Sequence, residues 1–443
     1  MITGRGNPTV SLLSQSLAFS IPAFLGIYWP LYIWAPTVVP MALRCGILSS
    51  SLALLIFWYR APLTRVETNF LLLFGAFFVA LVVPSLTATD VPRAFTDVLK
   101  LALLCGIGLV LARSLRDART AKAFGYGMLL GSIAPTLQIV IVYVKHLGLT
   151  VPTYEHLRLL KGLVSKHEGI ALNPIAFTAL FMYIVGLCLV RRTKLIWGLG
   201  AFVFLVSATL TGSRAPAAIA VLSFYVFLTW SSLQSKSLFV RVSGLLVFVA
   251  VSASAMGTVL ALDADKLASI TEGRSDLCRV AWSKFMQRPI SGFGYESWRD
   301  DLVSLLPGKY VNLTAQIATR NAGSYHNQYL TILAEEGLIA FIPAVAIIWT
   351  LLKYCHWLAT YKLISATNGR LIMMACLFML LRAGVEVPGL FGYSQEPADY
   401  LAYCFLAVVI SQASNQQAAV LVAAATRIFS RPILHSPATT VEA

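Results

Sequence analysis

Charge is scarce in this chain. Asp, Glu, Lys and Arg make up 12% of its 443 residues and 58% are hydrophobic, whereas an ordinary soluble domain is about 25% charged. A soluble globule of this size is thereby excluded. Acidic residues are the scarcer sign, 19 against 34 basic, for a net charge of +15. Such an excess would suit nucleic acid if it formed a patch. Instead a large share of the Lys and Arg falls in short connectors between apolar runs, the mark of membrane topology, and no nucleic-acid partner is expected. The seven cysteines form no CxxC pair: Cys45, Cys105, Cys188, Cys355, Cys376 and Cys404 lie in or beside apolar runs, and only Cys278 sits in a long polar segment. Neither a disulfide framework nor a zinc site follows. Gly292-Phe-Gly294 is too short for a phosphate loop and lacks its Lys-Ser/Thr, so it reads as a turn. No A-x-A-type cleavage site follows the first apolar run, Ser11 to about Ile33, which is expected to act as the first span. No internal repeat stands out, and the polar tail at 432–443 is expected to be disordered.

What the chain has is a series of apolar runs near the ~20 residues needed to cross hydrocarbon. Twelve are counted, at about 12–34, 41–58, 69–86, 96–112, 124–145, 169–190, 195–210, 215–230, 242–262, 328–352, 371–388 and 400–425. Basic connectors such as Arg113, Arg116, Arg119 and Lys122, or Lys353, Lys362 and Arg370, alternate with nearly uncharged ones, which places the basic set and both termini in the cytoplasm. The opposite connectors, at about 35–40, 87–95, 146–168, 211–214, 263–327 and 389–399, then face outward. The fold class expected is an all-α polytopic membrane protein of about twelve helices, one integral-membrane domain over 1–443.

The segment 263–327 is the longest outward connector and is expected to form a helical subdomain between the ninth and tenth spans. Within it, Leu277, Val280, Ala281 and Phe285 fall near helical spacing and Pro289 stops the run, which predicts an amphipathic helix over Leu277–Arg288 lying on the bundle or on the lipid surface. A polar loop enters the tenth span through His326. An interfacial imidazole is a useful neutral base near pH 7, but the same position suits a helix cap or a headgroup contact. Arg214 sits at the mouth of a hairpin between two apolar runs, where an ionisable group is either functional or snorkelling. Arg279 has Arg274 and Arg288 near it, and the bland alternative is a solvated or lipid-facing surface. Arg382 and Glu386 are four apart and could form a buried ion pair. Asp263-Ala-Asp265 is the only carboxylate pair to weigh as a divalent-metal site, and no metal site is expected.

These segments resemble a known family. His326-Asn-Gln-Tyr-Leu-Thr-Ile-Leu-Ala-Glu-Glu-Gly337 is similar to the histidine block of the O-antigen ligase and polymerase superfamily. Leu210-Thr-Gly-Ser-Arg214-Ala resembles its Ser-Arg block, with Ala215 in place of the usual Gly. Arg279-x-x-Trp282 followed by Pro289-Ile-Ser-Gly292-Phe-Gly294 resembles a third block, and Arg158-Leu-Leu-Lys-Gly162 with Asn173-Pro174 a fourth. The four stand in order across about residues 158–340. The resemblance implies a bundle of the GT-C glycosyltransferase type in the bacterial inner membrane. It implies transfer of a glycan from undecaprenyl diphosphate to a sugar hydroxyl of lipid A–core in the periplasm, by an inverting, metal-independent displacement without a cofactor. His326 would be the general base, and Arg214, Arg279 and Arg158 would hold the donor diphosphate. Tyr325, Asn327, Glu335, Arg274 and Arg382 would support them, Asn327 by orienting the imidazole. A polymerase or a protein O-oligosaccharyltransferase of the same superfamily would differ in acceptor. A transporter using Lys100, Arg382 and Glu386 is the reading from another class.

Overall fold

The computed structural model describes residues 62–88, 90–148, 172–190, 214–233, 274–294, 327–360, 366–384, 390–391 and 397–429, with isolated positions between 196 and 242. Helices form α1 (Arg65–Leu86), α2 (Val91–Ser114), α3 (Ala118–Leu147), α4 (Leu172–Leu189), α5 (Arg214–Leu233), α6 (Arg274–Gln287), α7 (Gln328–Thr360), α8 (Ala366–Ala383) and α9 (Pro397–Phe429). Among the described residues there is no strand. Five segments are long and apolar enough to cross a membrane: α1, α2, α3, α7 and Tyr400–Ala423 of α9. Of the twelve expected runs, those at 12–34 and 41–58 lie outside the described residues, as does nearly all of 242–262. The run at 195–210 is described only at isolated positions. Each of the other eight coincides with a helix, and an all-helical polytopic membrane protein is the architecture.

The helices reach a few residues past the apolar runs because polar residues cap them. Thr64 opens α1 with a reciprocal box: its hydroxyl accepts from the Glu67 N–H at 3.3 Å, and the Glu67 carboxylate accepts from the Thr64 N–H at 2.8 Å. Asp90 opens α2 by accepting from the Arg93 N–H at 3.1 Å, with Pro92 in the first turn. Asp117 opens α3 by accepting from the Thr120 N–H at 2.8 Å, and that bond holds its carboxyl below the usual range.

Packing between spans uses small residues and one helix that is wholly enclosed over much of its first half. Where α3 crosses α4, a Cβ on Gly125 would come 2.9 Å from Leu189 Cβ, and one on Gly186 would come 2.9 Å from the Gly125 carbonyl. Only glycine allows this approach, as expected where helices associate by van der Waals contact instead of by hydrophobic exclusion. In α9 every residue from Tyr400 to Ile410 is buried, so this stretch is apolar all round and is surrounded by the other helices. Phe405 there meets Phe181 of α4, which stacks on Phe378 of α8 at 5.8 Å. Leu72, Val79, Leu99, Ile342 and Trp349 point outward and are exposed, a surface suited to lipid and unsuited to water.

One end of the bundle is tied by buried charge. Glu67 is 1% exposed and forms an ion pair with Arg116, with Arg113 at 4.0 Å. The Thr64 and Ser414 hydroxyls share a 2.9 Å bond, and Asn415 donates to the Arg116 carbonyl at 3.1 Å. The same end holds Tyr354, bonded to Asn69 at 3.1 Å, close to Lys353. This basic end is the one that the charge pattern assigns to the cytoplasm.

A membrane-impermeant maleimide tests that orientation. Cys278 is half-buried on α6, whereas Cys355 is fully enclosed and useless as an inner-face reporter, so the exposed His356 is replaced by Cys. In intact spheroplasts Cys278 should label, and H356C should label only after permeabilisation. The reverse pattern would invert the bundle.

Candidate functional site

The opposite end is assembled around the start of α7. Helix α6 runs over Arg274–Gln287, close to its expected bounds, and stops before Pro289. Its Leu277 and Ala281 are buried against Ala334 of α7, flanked by Val280 and Leu330. Lys284 shares that face. It is only 1% exposed, with its ammonium 5.2 Å from the centre of the Phe293 ring, and the Arg288 guanidinium lies 4.7 Å from the same ring.

Past Pro289 the chain docks on α7 through its backbone. Residues Ile332–Glu336 form a π turn, which displaces the helical hydrogen-bond register by one residue and leaves carbonyls without their usual donors. The loop supplies donors: the Phe293 N–H reaches Ala334 O at 3.1 Å and the Gly294 N–H reaches Glu335 O at 2.8 Å. Beyond the turn the direction reverses. The Leu338 N–H donates to Pro289 O at 2.8 Å and the Ile339 N–H to Ile290 O at 3.1 Å. Backbone contact this close leaves no room for side chains. Gly292 and Gly337 both have positive φ, 66° and 69°. A Cβ on Gly292 would fall on the Glu335 carbonyl, and one on Gly337 on the Ile290 carbonyl. Gly294 abuts the α1–α2 turn, where its Cβ would lie 2.7 Å from Ala88 Cα.

The first turn of α7 is fixed as firmly. The Asn327 side-chain carbonyl accepts from the Leu330 N–H at 3.1 Å, the Thr331 hydroxyl donates to Asn327 O at 2.9 Å, and the Tyr329 hydroxyl donates to Leu380 O of α8 at 2.9 Å. At the same end of α8, Arg382 is buried with its guanidinium 4.8 Å from the Phe177 ring of α4. Glu335 and Glu336 are each 2% exposed, so two carboxylates are enclosed where helix, loop and α6 meet.

The expected site residues are distributed as follows. Asn327 is the cap of α7, its side-chain oxygen starting the helix that follows His326. Arg279 is exposed on α6. Glu335 is buried in the π turn. Arg214 and Arg274 are the first residues of α5 and α6, positions described for their backbone only. His326, Tyr325 and Arg158 lie outside the described residues, as do Asp263, Asp265 and Glu386, so the Arg382–Glu386 pair cannot be placed. Lys284 was not singled out from the sequence. Its signal was its spacing, three and seven residues after Ala281 and Leu277 on the buried face, against the rule that lysines stay in water.

The fold and this site define a polytopic helical membrane protein with an amphipathic helix and loop clamped onto the entry of one span. Residues 199–345, about a third of the chain, match the family described as O-Antigen ligase. This match supports the O-antigen ligase and polymerase superfamily, with ligase- or polymerase-type activity on lipid-linked glycan. It spans α5, α6, the docked loop and the first half of α7. No curated protein matches the chain significantly.

The two interlocked glycines yield a stability prediction. Gly292→Ala and Gly337→Ala should each destabilise the detergent-solubilised protein by at least ~1–3 kcal/mol through left-handed strain, before overlap is added. Gly75→Ala, with nothing within 4 Å of its Cβ, should be neutral or stabilising by up to ~1 kcal/mol. Thermal unfolding checks this, and equal midpoints for all three would refute the clamp.

Proposed function

We propose that this protein transfers an O-antigen glycan from undecaprenyl diphosphate to a sugar hydroxyl of lipid A–core on the periplasmic face of the bacterial inner membrane. The observation that carries the reading is the interlock within the matched segment: Pro289–Gly294 bonds to the backbone of the turn that follows His326 and Asn327. A base acts only if it is held at fixed distance from the proton it takes, and the capped, clamped start of α7 supports that requirement.

Diphosphate is a good leaving group as an anion, so the protein's work is to hold it and to activate the acceptor. Guanidinium groups suit the first task because they stay charged beside lipid and bind phosphate oxygens in a bidentate fork. Arg214 opening α5, Arg279 on the exposed face of α6 and Arg158 take this role, with Arg274 and Arg382 supporting. His326 removes the acceptor proton as the hydroxyl attacks the anomeric carbon, and the bond to the diphosphate breaks in the same displacement, with inversion. Arg279 is solvent-exposed on α6, as a phosphate-binding guanidinium needs to be. Tyr325 precedes the base in sequence, and Glu335, buried in the π turn, belongs to a supporting polar layer. Donor, base and acceptor suffice for this displacement without a metal or a cofactor. The matched family also includes polymerase-type activity, which would use a second lipid-linked repeat as acceptor in the same site.

Transfer from an undecaprenyl-diphosphate glycan by purified variants across pH 5–9 tests the assignment. His326→Ala should lower turnover by ~10²–10⁴ with unchanged yield. His326→Gln should fail as badly, because an amide has no accessible pKa. Arg214→Lys should lose most activity, since a point charge does not replace the fork. Near-wild-type transfer by H326Q would remove the base assignment.

A further inference from the structure

The outward side of α6 is divided into two rows. Trp282 and Met286, four apart on α6, and Ile290 in the turn that follows it form an apolar row that is 51%, 61% and 70% exposed. Arg279, Ser283 and Gln287, also four apart, form a polar row beside it, and all three are exposed. With Leu277, Ala281 and Lys284 turned into the bundle, the helix presents a buried face, an apolar face and a polar face. A helix in water needs only the first and third of these.

The apolar row does not stop at the end of α6. The Ile290 carbonyl is bonded to the Ile339 N–H of α7, and from there Ile339, Ile342, Val345 and Trp349 continue an exposed apolar line down α7, with Ile342 64% exposed. That line is the lipid-facing side of a spanning helix. The depth also agrees. The 33 residues of α7 make a rod of about 50 Å at 1.5 Å per residue, roughly 20 Å longer than the hydrocarbon layer. Counting about 20 residues back from Lys353 puts the other hydrocarbon boundary near the π turn, where the loop after α6 docks. Arg288, exposed beside Ile290, and Arg279 supply charge complementary to anionic headgroups.

We propose that the Trp282–Met286–Ile290 row is a lipid-docking surface: α6 lies in the headgroup region of the leaflet opposite the basic end, with this row in the acyl boundary and the Arg279 row toward water. The aromatic Trp282, packed on Phe285 at 5.2 Å, sits where indole is favoured at membrane interfaces. Held so, α6 keeps Arg279 at the height of lipid phosphates. That consequence rests on the proposed transfer reaction, but the docking itself needs only that α7 crosses the membrane.

The test is spin-label accessibility in phosphatidylethanolamine–phosphatidylglycerol vesicles. Labels are placed at Met286→Cys or, as a second site in the row, Ile290→Cys, with Ser283→Cys as the polar-row comparison, all in a Cys278→Ser background. At 286 and 290 collisions with dissolved oxygen should exceed those with a water-soluble nickel complex, and at 283 the order should reverse. Nickel dominance at all three sites would place the row in water and overturn the proposal. Exclusion of both reagents from the row, with spin–spin broadening, would overturn it in favour of a second copy of the chain. Loss of transfer activity with the accessibility pattern intact would count against the reaction and leave the docking standing.

Discussion

Hydrocarbon offers no hydrogen bonds, so a spanning helix that breaks its own register must find partners in protein. The π turn at Ile332–Glu336 is such a break, and the loop Pro289–Gly294 is the partner, giving two N–H groups to the turn and accepting two from the residues beyond it. Much of that end of the molecule follows from this exchange. The loop can approach only if Gly292 and Gly337 lack side chains. Its docking sets where α6 comes to rest, and α6 in turn covers Ala334 and encloses Lys284. With the Asn327 cap and the Tyr329 bond to α8, the segment entering α7 has little freedom left, a useful property in a residue run that starts one position after His326.

Buried charge is used at both ends of the bundle, in different settings. At the basic end Glu67 is paired with Arg116 and Arg113, and the Ser414 hydroxyl and Asn415 amide of α9 complete the joint. That cluster reads as structural: it staples α1, the α2–α3 turn and α9. At the other end the enclosed charges among the described residues are Asp97, paired with Lys100 at 2.7 Å, and Lys284, Glu335, Glu336 and Arg382, and of these Lys284, Glu335 and Glu336 lie within the segment matched to the O-antigen ligase family. Burying ionisable groups is costly, and Lys284 bears that cost on the same helix that carries the exposed Arg279.

The membrane-spanning helices were legible because hydropathy acts over about 20 residues and tolerates error in any one of them. The end of α6 was legible because Pro289 cannot continue a helix. Gly292-Phe-Gly294 was read as a turn, and it is one, but its purpose was hidden: pairing with a π turn some forty residues later leaves no local trace. Lys284 escaped for a related reason, since its spacing announced burial while its charge argued for water. Asn327 was read as a companion of the imidazole beside it in sequence; that it also caps the helix through a bond to Leu330 was not read, because a cap shows only once the helix start is known.

The account stands or falls on what happens to lipid-linked glycan, and the most direct measurement is the lipopolysaccharide and lipid-linked glycan profile of a host strain lacking this protein. The account predicts loss of the long-chain lipopolysaccharide ladder together with accumulation of long glycan on undecaprenyl diphosphate. A core bearing one repeat, with no long lipid-linked chains, would identify a polymerase instead. An unchanged ladder with unchanged lipid-linked glycan would contradict the reading altogether.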